Sequence, residues 1–143
     1  MSEATERVIS GLEGVLACES SIAYIDGSVP ELSFRGYDIH DIAQTLTFEQ
    51  VTFLLWYDRI PHAEDLRAFH ADLASRRTIT PPLVDMLRAL PAAAHPMAGL
   101  RTAVSMLGAF DAHAEDLSRD DNLRKAKDLT AKMPTIVAAQ ARL

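Results

Sequence analysis

The chain has 143 residues, the size of a single domain and enough to bury a real core. Its net charge of −6, with 48% hydrophobic and 24% charged residues, fits an ordinary globular protein and argues against nucleic acid as a partner, since phosphate binding wants a clustered basic surface. The first residues, Met-Ser-Glu-Ala-Thr-Glu-Arg, lack the basic start and apolar run of a secretory signal, and no stretch approaches the length of a membrane span. The single cysteine, Cys18, cannot form an internal disulfide; with no histidine or cation beside it, it is expected to be a small packing residue. A cytoplasmic protein with no membrane partner is therefore expected.

Residues 1–10 are polar and expected to be flexible, and 11–143 to form one helical domain. Gly11 and Gly14 bracket a turn. Ile22–Ile25 and Leu32–Arg35 alternate as two short strands around Asp26-Gly27, giving one small β-hairpin at about 22–35 that Gly36 ends. Asp38 offers an N-cap, with Asp41 three residues on, for a short helix through Gln44. Thr47 and Gln50 make a capping box, and the helix behind it, lined by Val51, Leu54 and Leu55, must stop before Pro61. Its aromatics Phe53, Trp56 and Tyr57 are spaced for core packing rather than for stacking a ligand. From Ala63 to Arg76 an amphipathic helix sets Leu66, Phe69 and Leu73 against Glu64, Asp65, Arg67 and Asp72. Thr80-Pro-Pro82 opens a further helix with Leu83, Met86, Leu87 and Leu90 inward, closed by Pro91.

The stretch from His95 to Phe110 reads as the helix around which the rest is organised. Pro96 marks its start, and Met97, Leu100, Val104 and Leu107 form one apolar row beside a second of Gly99, Ala103, Met106 and Phe110. Only Arg101, Thr102 and Ser105 are polar, so the helix is expected at the centre of a core or pressed against another subunit. Gly99, Ala103 and Gly108 would admit a neighbouring backbone. After an acidic loop over 111–118, Ser118 caps a helix with Leu123, Ala126 and Leu129 that Pro134 is expected to kink or stop. Residues from Thr135 onward keep helical character to Leu143 without a glycine cap, the pattern expected of a chain that continues.

No glycine-rich phosphate loop, cysteine pair, His-Glu-x-x-His or Gly-x-Ser-x-Gly is present. Among the histidines, His40 sits in a capping turn and His113 in the acidic loop. His62 and His70, with Glu64, Asp65 and Asp72 nearby, lack a fixed third ligand and read as a solvated helix surface. His95, held extended by Pro96, is placed to bond a backbone group where the helix begins; general acid–base catalysis is the competing role.

The order of Gly11-Leu-Glu-Gly-Val, Tyr24-Ile-Asp-Gly, Phe34-Arg-Gly-Tyr-Asp-Ile39, Phe53-Leu-Leu-Trp-Tyr57, His95-Pro-Met, Leu100-Arg-Thr-Ala-Val-Ser and Lys132-Met-Pro-Thr-Ile-Val-Ala-Ala139 resembles the N-terminal half of citrate synthases. The resemblance implies a mainly α, multi-helical fold, the N-terminal part of that family's large domain. It also implies an acyltransferase of the tricarboxylic acid cycle that condenses acetyl-CoA with oxaloacetate. Such a Claisen condensation needs a carboxylate to deprotonate the acetyl methyl group, histidines to stabilise the enol and polarise the ketone, and arginines to grip the carboxylates. In the family these come from a His-Gly-Gly stretch, a Gly-His-Arg stretch and a later aspartate, none of which occurs here. Arg35, Arg59 and Arg101 are weak candidates for substrate binding, and Arg101 reads better as the polar strip of its helix or an interface ion pair. No catalytic, cofactor-binding or metal-ligating residue is therefore assigned, and His95 takes a structural role. The 143 residues alone are expected to be inactive. They would form a scaffold and homodimer-contact segment that self-associates through the helix at 96–110, with acetyl-CoA and oxaloacetate bound only in a full-length enzyme. A stand-alone helical interaction or oligomerisation module is the alternative.

Overall fold

The computed structural model describes residue 11 and residues 18–143; the expectations for residues 1–10 and for Gly14 lie outside the described residues. The chain divides into two compact units, residues 1–46 and 47–143.

In the first unit, β1 (Ala23–Asp26), β2 (Glu31–Phe34) and β3 (Tyr37–Asp38) form an antiparallel sheet of order β1-β2-β3. The register sets Ala23 opposite Phe34 and Ile25 opposite Leu32, so these four side chains share one face. Asp26 shapes the first turn, its carboxylate accepting from the N–H and hydroxyl of Ser28 at 2.8 and 2.6 Å. Those bonds favour the ionised form and hold the Asp26 carboxyl below its usual range.

The third strand departs from the expected single hairpin. Arg35 (φ 50°) and Gly36 (φ 83°) are the two central residues of a tight turn that brings Tyr37 opposite Phe34. Positive φ at both positions is the mark of a type I′ hairpin turn, whose twist matches that of its strands. Gly36 thus continues the sheet instead of ending it. Next comes α1 (Ile39–Thr45), where the Asp38 carboxylate accepts from the His40 N–H at 2.7 Å.

The second unit contains α2 (Phe48–Tyr57), α3 (Ala63–Ser75), α4 (Pro81–Ala89), α5 (Pro96–Ala109) and α6 (Arg119–Gln140). The expected capping box is present on α2: Gln50 Oε1 accepts from the Thr47 N–H at 2.9 Å, and Thr47 Oγ1 from the Gln50 N–H at 3.3 Å. Helix α2 ends on Asp58 in the left-handed region, three residues before Pro61. Ser118 Oγ accepts from the Asp121 N–H at 3.3 Å at the head of α6.

Two apolar clusters fill this unit. Phe53, Phe69, Leu73 and Ala131 form one, with Trp56 and Tyr57 packed against it; Leu83, Leu87, Ala103 and Ile136 form the other, joined by Leu90, Leu100 and Met106. The ring centroids of Phe53 and Phe69 lie 5.4 Å apart, edge to face, and those of Trp56 and Phe69 5.7 Å apart. The aromatic residues therefore pack as core.

Both clusters contain a residue of α6, and α6 packs against α3, α4 and α5. The organising helix is α6, not α5. On α5 only Gly99 and Ala103 are buried, and its longer apolar side chains reach partly into solvent. Nor does Pro134 stop α6, which runs unbroken for 22 residues. A proline removes one backbone donor, but Ala131 and Ile136, buried on either side of it, anchor both halves while Pro134 itself faces outward.

Candidate functional site

Three features of the second unit bear on function: the head of α5, a line of charges along α6, and apolar grooves beside α6. At the first, His95 is extended (φ −63°, ψ 131°) and its Nδ1 accepts from the Met97 N–H at 3.2 Å. This is the helix-start bond expected of it. The seam between α5 and α6 is narrow. A Cβ on Gly99 would stand 2.5 Å from Gln140 Nε2 and 2.9 Å from Leu90 Cδ1, and that amide donates to the Pro96 carbonyl at 3.0 Å. Gly99 thus admits close side chains rather than the neighbouring backbone expected there, and Gly108 faces open space.

The charges form a continuous chain. Asp72 on α3 accepts from Lys127 on α6 at 2.8 Å and pairs with Arg76 one turn on. Arg76 reaches Asp128 at 3.0 Å, Asp128 accepts from Arg124 at 3.1 Å, and Arg124 donates to Asp111 at 2.7 Å in the preceding loop. Lys127 and then Arg76 hold the Asp72 carboxyl below the usual carboxylate range, and Arg124 does the same for Asp111 and Asp121. The guanidinium of Arg124 is raised in turn by Asp121 and Asp111. Sequence reading missed this network as a unit. The spacing of Asp72 with Arg76, and of Arg124 with Asp128 and Asp128 with Lys132, was its visible signal. The link across helices had none.

One groove of about 660 Å³ is lined by Leu90, Pro91, Pro96, Met97, Leu100 and Val137. Another, of about 690 Å³, is walled by Phe48, Leu129, Met133, Pro134, Val137 and Ala141. Phe48 is 69% exposed, Val137 50%, and at the two ends of α5 Met97 is 62% and Phe110 67% exposed. These are large apolar side chains left uncovered within the chain.

The remaining candidates are dispersed. His40, His62 and His113 are exposed, and His70 faces Glu49 across 4.0 Å. Among the described residues no three His, Cys, Asp or Glu side chains converge as metal ligands would. Arg35 donates to Ser21 Oγ at 2.7 Å. Arg59 is paired with Asp65 at 2.7 Å and lies 5.0 Å over the Phe53 ring, and Arg101 is exposed on α5. Cys18, expected to pack, is exposed. Among the described residues no helix is long and apolar enough to cross a membrane.

This mainly helical architecture with a small antiparallel sheet is found in solved citrate synthases. The enzyme from Pyrobaculum aerophilum superposes with a TM-score of 0.80 at 36% identity, over 93% of this chain and 35% of that one. A ternary complex of citrate synthase from Thermoplasma acidophilum, at 22% identity, shares the fold with a TM-score of 0.81 over 90% of this chain and 34% of that one. The family model described as "Citrate synthase, C-terminal domain" matches residues 11–143. The chain belongs to the citrate synthase family. It is 46% identical to a citrate synthase of Haloferax volcanii over 92% of its own length and 36% of that protein, and 36% identical to 2-methylcitrate synthase 1 of Corynebacterium glutamicum over 95% and 36%. The chain thus spans about a third of the length of the curated relatives it matches.

Proposed function

We propose that this chain is the scaffold and subunit-contact part of a citrate synthase-type acyltransferase, and that the groups that carry out condensation belong to other polypeptide of the enzyme. In the whole enzyme, acetyl-CoA would add through its methyl carbon to the ketone of oxaloacetate, and water would then hydrolyse the thioester of the adduct, giving citrate and CoA in the tricarboxylic acid cycle of the cytoplasm. The observation that carries the reading is the uncovered apolar surface of α5 and α6, with Met97 and Phe110 on one helix and Val137 on the other. Large side chains of this kind are normally covered by a partner surface. Family membership and the chain's one-third share of its relatives support the assignment. His95 fits a scaffold role, because its ring is already committed to the backbone of α5.

The polypeptide of these 143 residues, mixed with acetyl-CoA and oxaloacetate, is expected to release no CoA thiol above background. Turnover that survives repurification would overturn the scaffold assignment. The same apolar surface also suits a stand-alone oligomerisation module. A genomic reading frame that carries His-Gly-Gly and Gly-His-Arg stretches beyond Leu143 favours the enzyme; its absence favours the module.

A further inference from the structure

The first turn of α5 rests on a single residue. Pro96 has no N–H to satisfy, the Met97 N–H donates to His95 Nδ1 at 3.2 Å, and the Ala98 and Gly99 N–H groups donate to the His95 carbonyl at 2.8 and 3.4 Å. An imidazole nitrogen accepts a hydrogen bond only when it carries no proton. A protonated ring would turn an N–H toward the Met97 N–H and set a cation at the positive end of the helix dipole. We propose that His95 is a pH-sensitive cap, which closes the head of α5 when the ring is neutral and releases it when the ring is protonated.

The groups around this junction come from α4, α5 and α6. On α4, Arg88 lines the adjoining groove and lies 3.5 Å from Asp85 on its own helix. From α6 comes Gln140, an uncharged amide already donating to the Pro96 carbonyl at 3.0 Å. The first charged residue along α5 itself is Arg101. The sign follows from linkage: a bond made only to the neutral ring stabilises the folded state at high pH, and that contribution is lost as pH falls through the imidazole range. The proposal stands apart from the subunit-contact reading, because it concerns one cap bond whether or not α5 meets a second copy.

The test is amide exchange by NMR, corrected for intrinsic rates, between about pH 8 and about pH 5, a span that brackets imidazole titration. Protection of the Met97 N–H is expected to fall about fivefold toward acid, the size of one lost cap. The Gln50 N–H, capped on α2 by the non-titrating Thr47 hydroxyl, should keep its protection. In His95→Asn the carboxamide oxygen accepts at both pH values, so Met97 protection stays flat and high. In His95→Ala it stays flat and low, which keeps the test open should the asparagine variant not fold. A proton found on His95 Nδ1 at about pH 8, unchanged Met97 protection in the unmodified protein, or a fall shared by Gln50 or by His95→Asn would each overturn the proposal.

Discussion

At Gly99 two effects of similar size oppose each other. Alanine there would gain about 1 kcal/mol of helix propensity. Its Cβ would also displace the Gln140 amide, whose bond to the Pro96 carbonyl is worth about 1 kcal/mol. Gly99→Ala is therefore expected to leave urea stability within about 0.5 kcal/mol of the parent. Gly99→Leu, which must also push Leu90 aside, should cost about 2 kcal/mol by overpacking. The close approach at Gly99 was legible because a small residue on an otherwise large apolar helix has few other uses. The Arg35-Gly36 turn was not, because arginine seldom takes the left-handed region that its φ of 50° requires. Its neighbour gave half of the usual Asn-Gly signal, too little to call for a third strand.

Among the elements, α6 shows where local rules yield to packing. Sequence reading gave Pro134 a kink or a stop, because the ring removes a donor and crowds the preceding turn. The helix continues because Ala131 is held in one cluster and Ile136 in the other, and each contact outweighs part of the local cost. If the cost is still present, Pro134→Ala should raise the urea midpoint, by an amount corresponding to about 1–3 kcal/mol. A loss of stability would mean that the ring packs favourably enough to offset its missing bond. The pairing of α3 with α6 has a different dependence. The Asp72 carboxylate is held below its usual range by Lys127 and Arg76, so its contribution is fully present above the unfolded carboxylate range and is lost as pH falls through the depressed one. The stability of the protein should therefore fall below about pH 4, the ordinary aspartate value. Asp72→Asn should lower stability at neutral pH and shrink the acid-dependent loss; an acid limb of unchanged size in the variant would place that sensitivity elsewhere.

For the molecule as a whole, the helices were legible because caps and apolar periods are local signals, repeated along the chain, and the family was legible from the ordered motifs between Gly11 and Ala139. The choice of α5 as centre failed because periodicity reports which faces are apolar and not which of them the same chain covers. Helix α5 carries more apolar rows than its neighbours within this chain bury. Helix α6 looks more polar, yet its charges are spent on α3 and on the loop before it, and its small apolar residues reach both clusters. That division gives the subunit-contact proposal a discriminating variant. Val137 lines both grooves but belongs to neither buried cluster, whereas Ile136, one residue away, is fully buried. Light scattering over a dilution series should show the protein self-associating. Val137→Glu should weaken association at least tenfold, as expected when a charge enters an apolar contact, with no change in thermal midpoint. Ile136→Glu should instead unfold the second unit, marking the difference between covering surface and core. Equal association of the Val137 variant and its parent would move the contact off this face of α6, and a monomer at every concentration would remove subunit contact as the reason these side chains are uncovered.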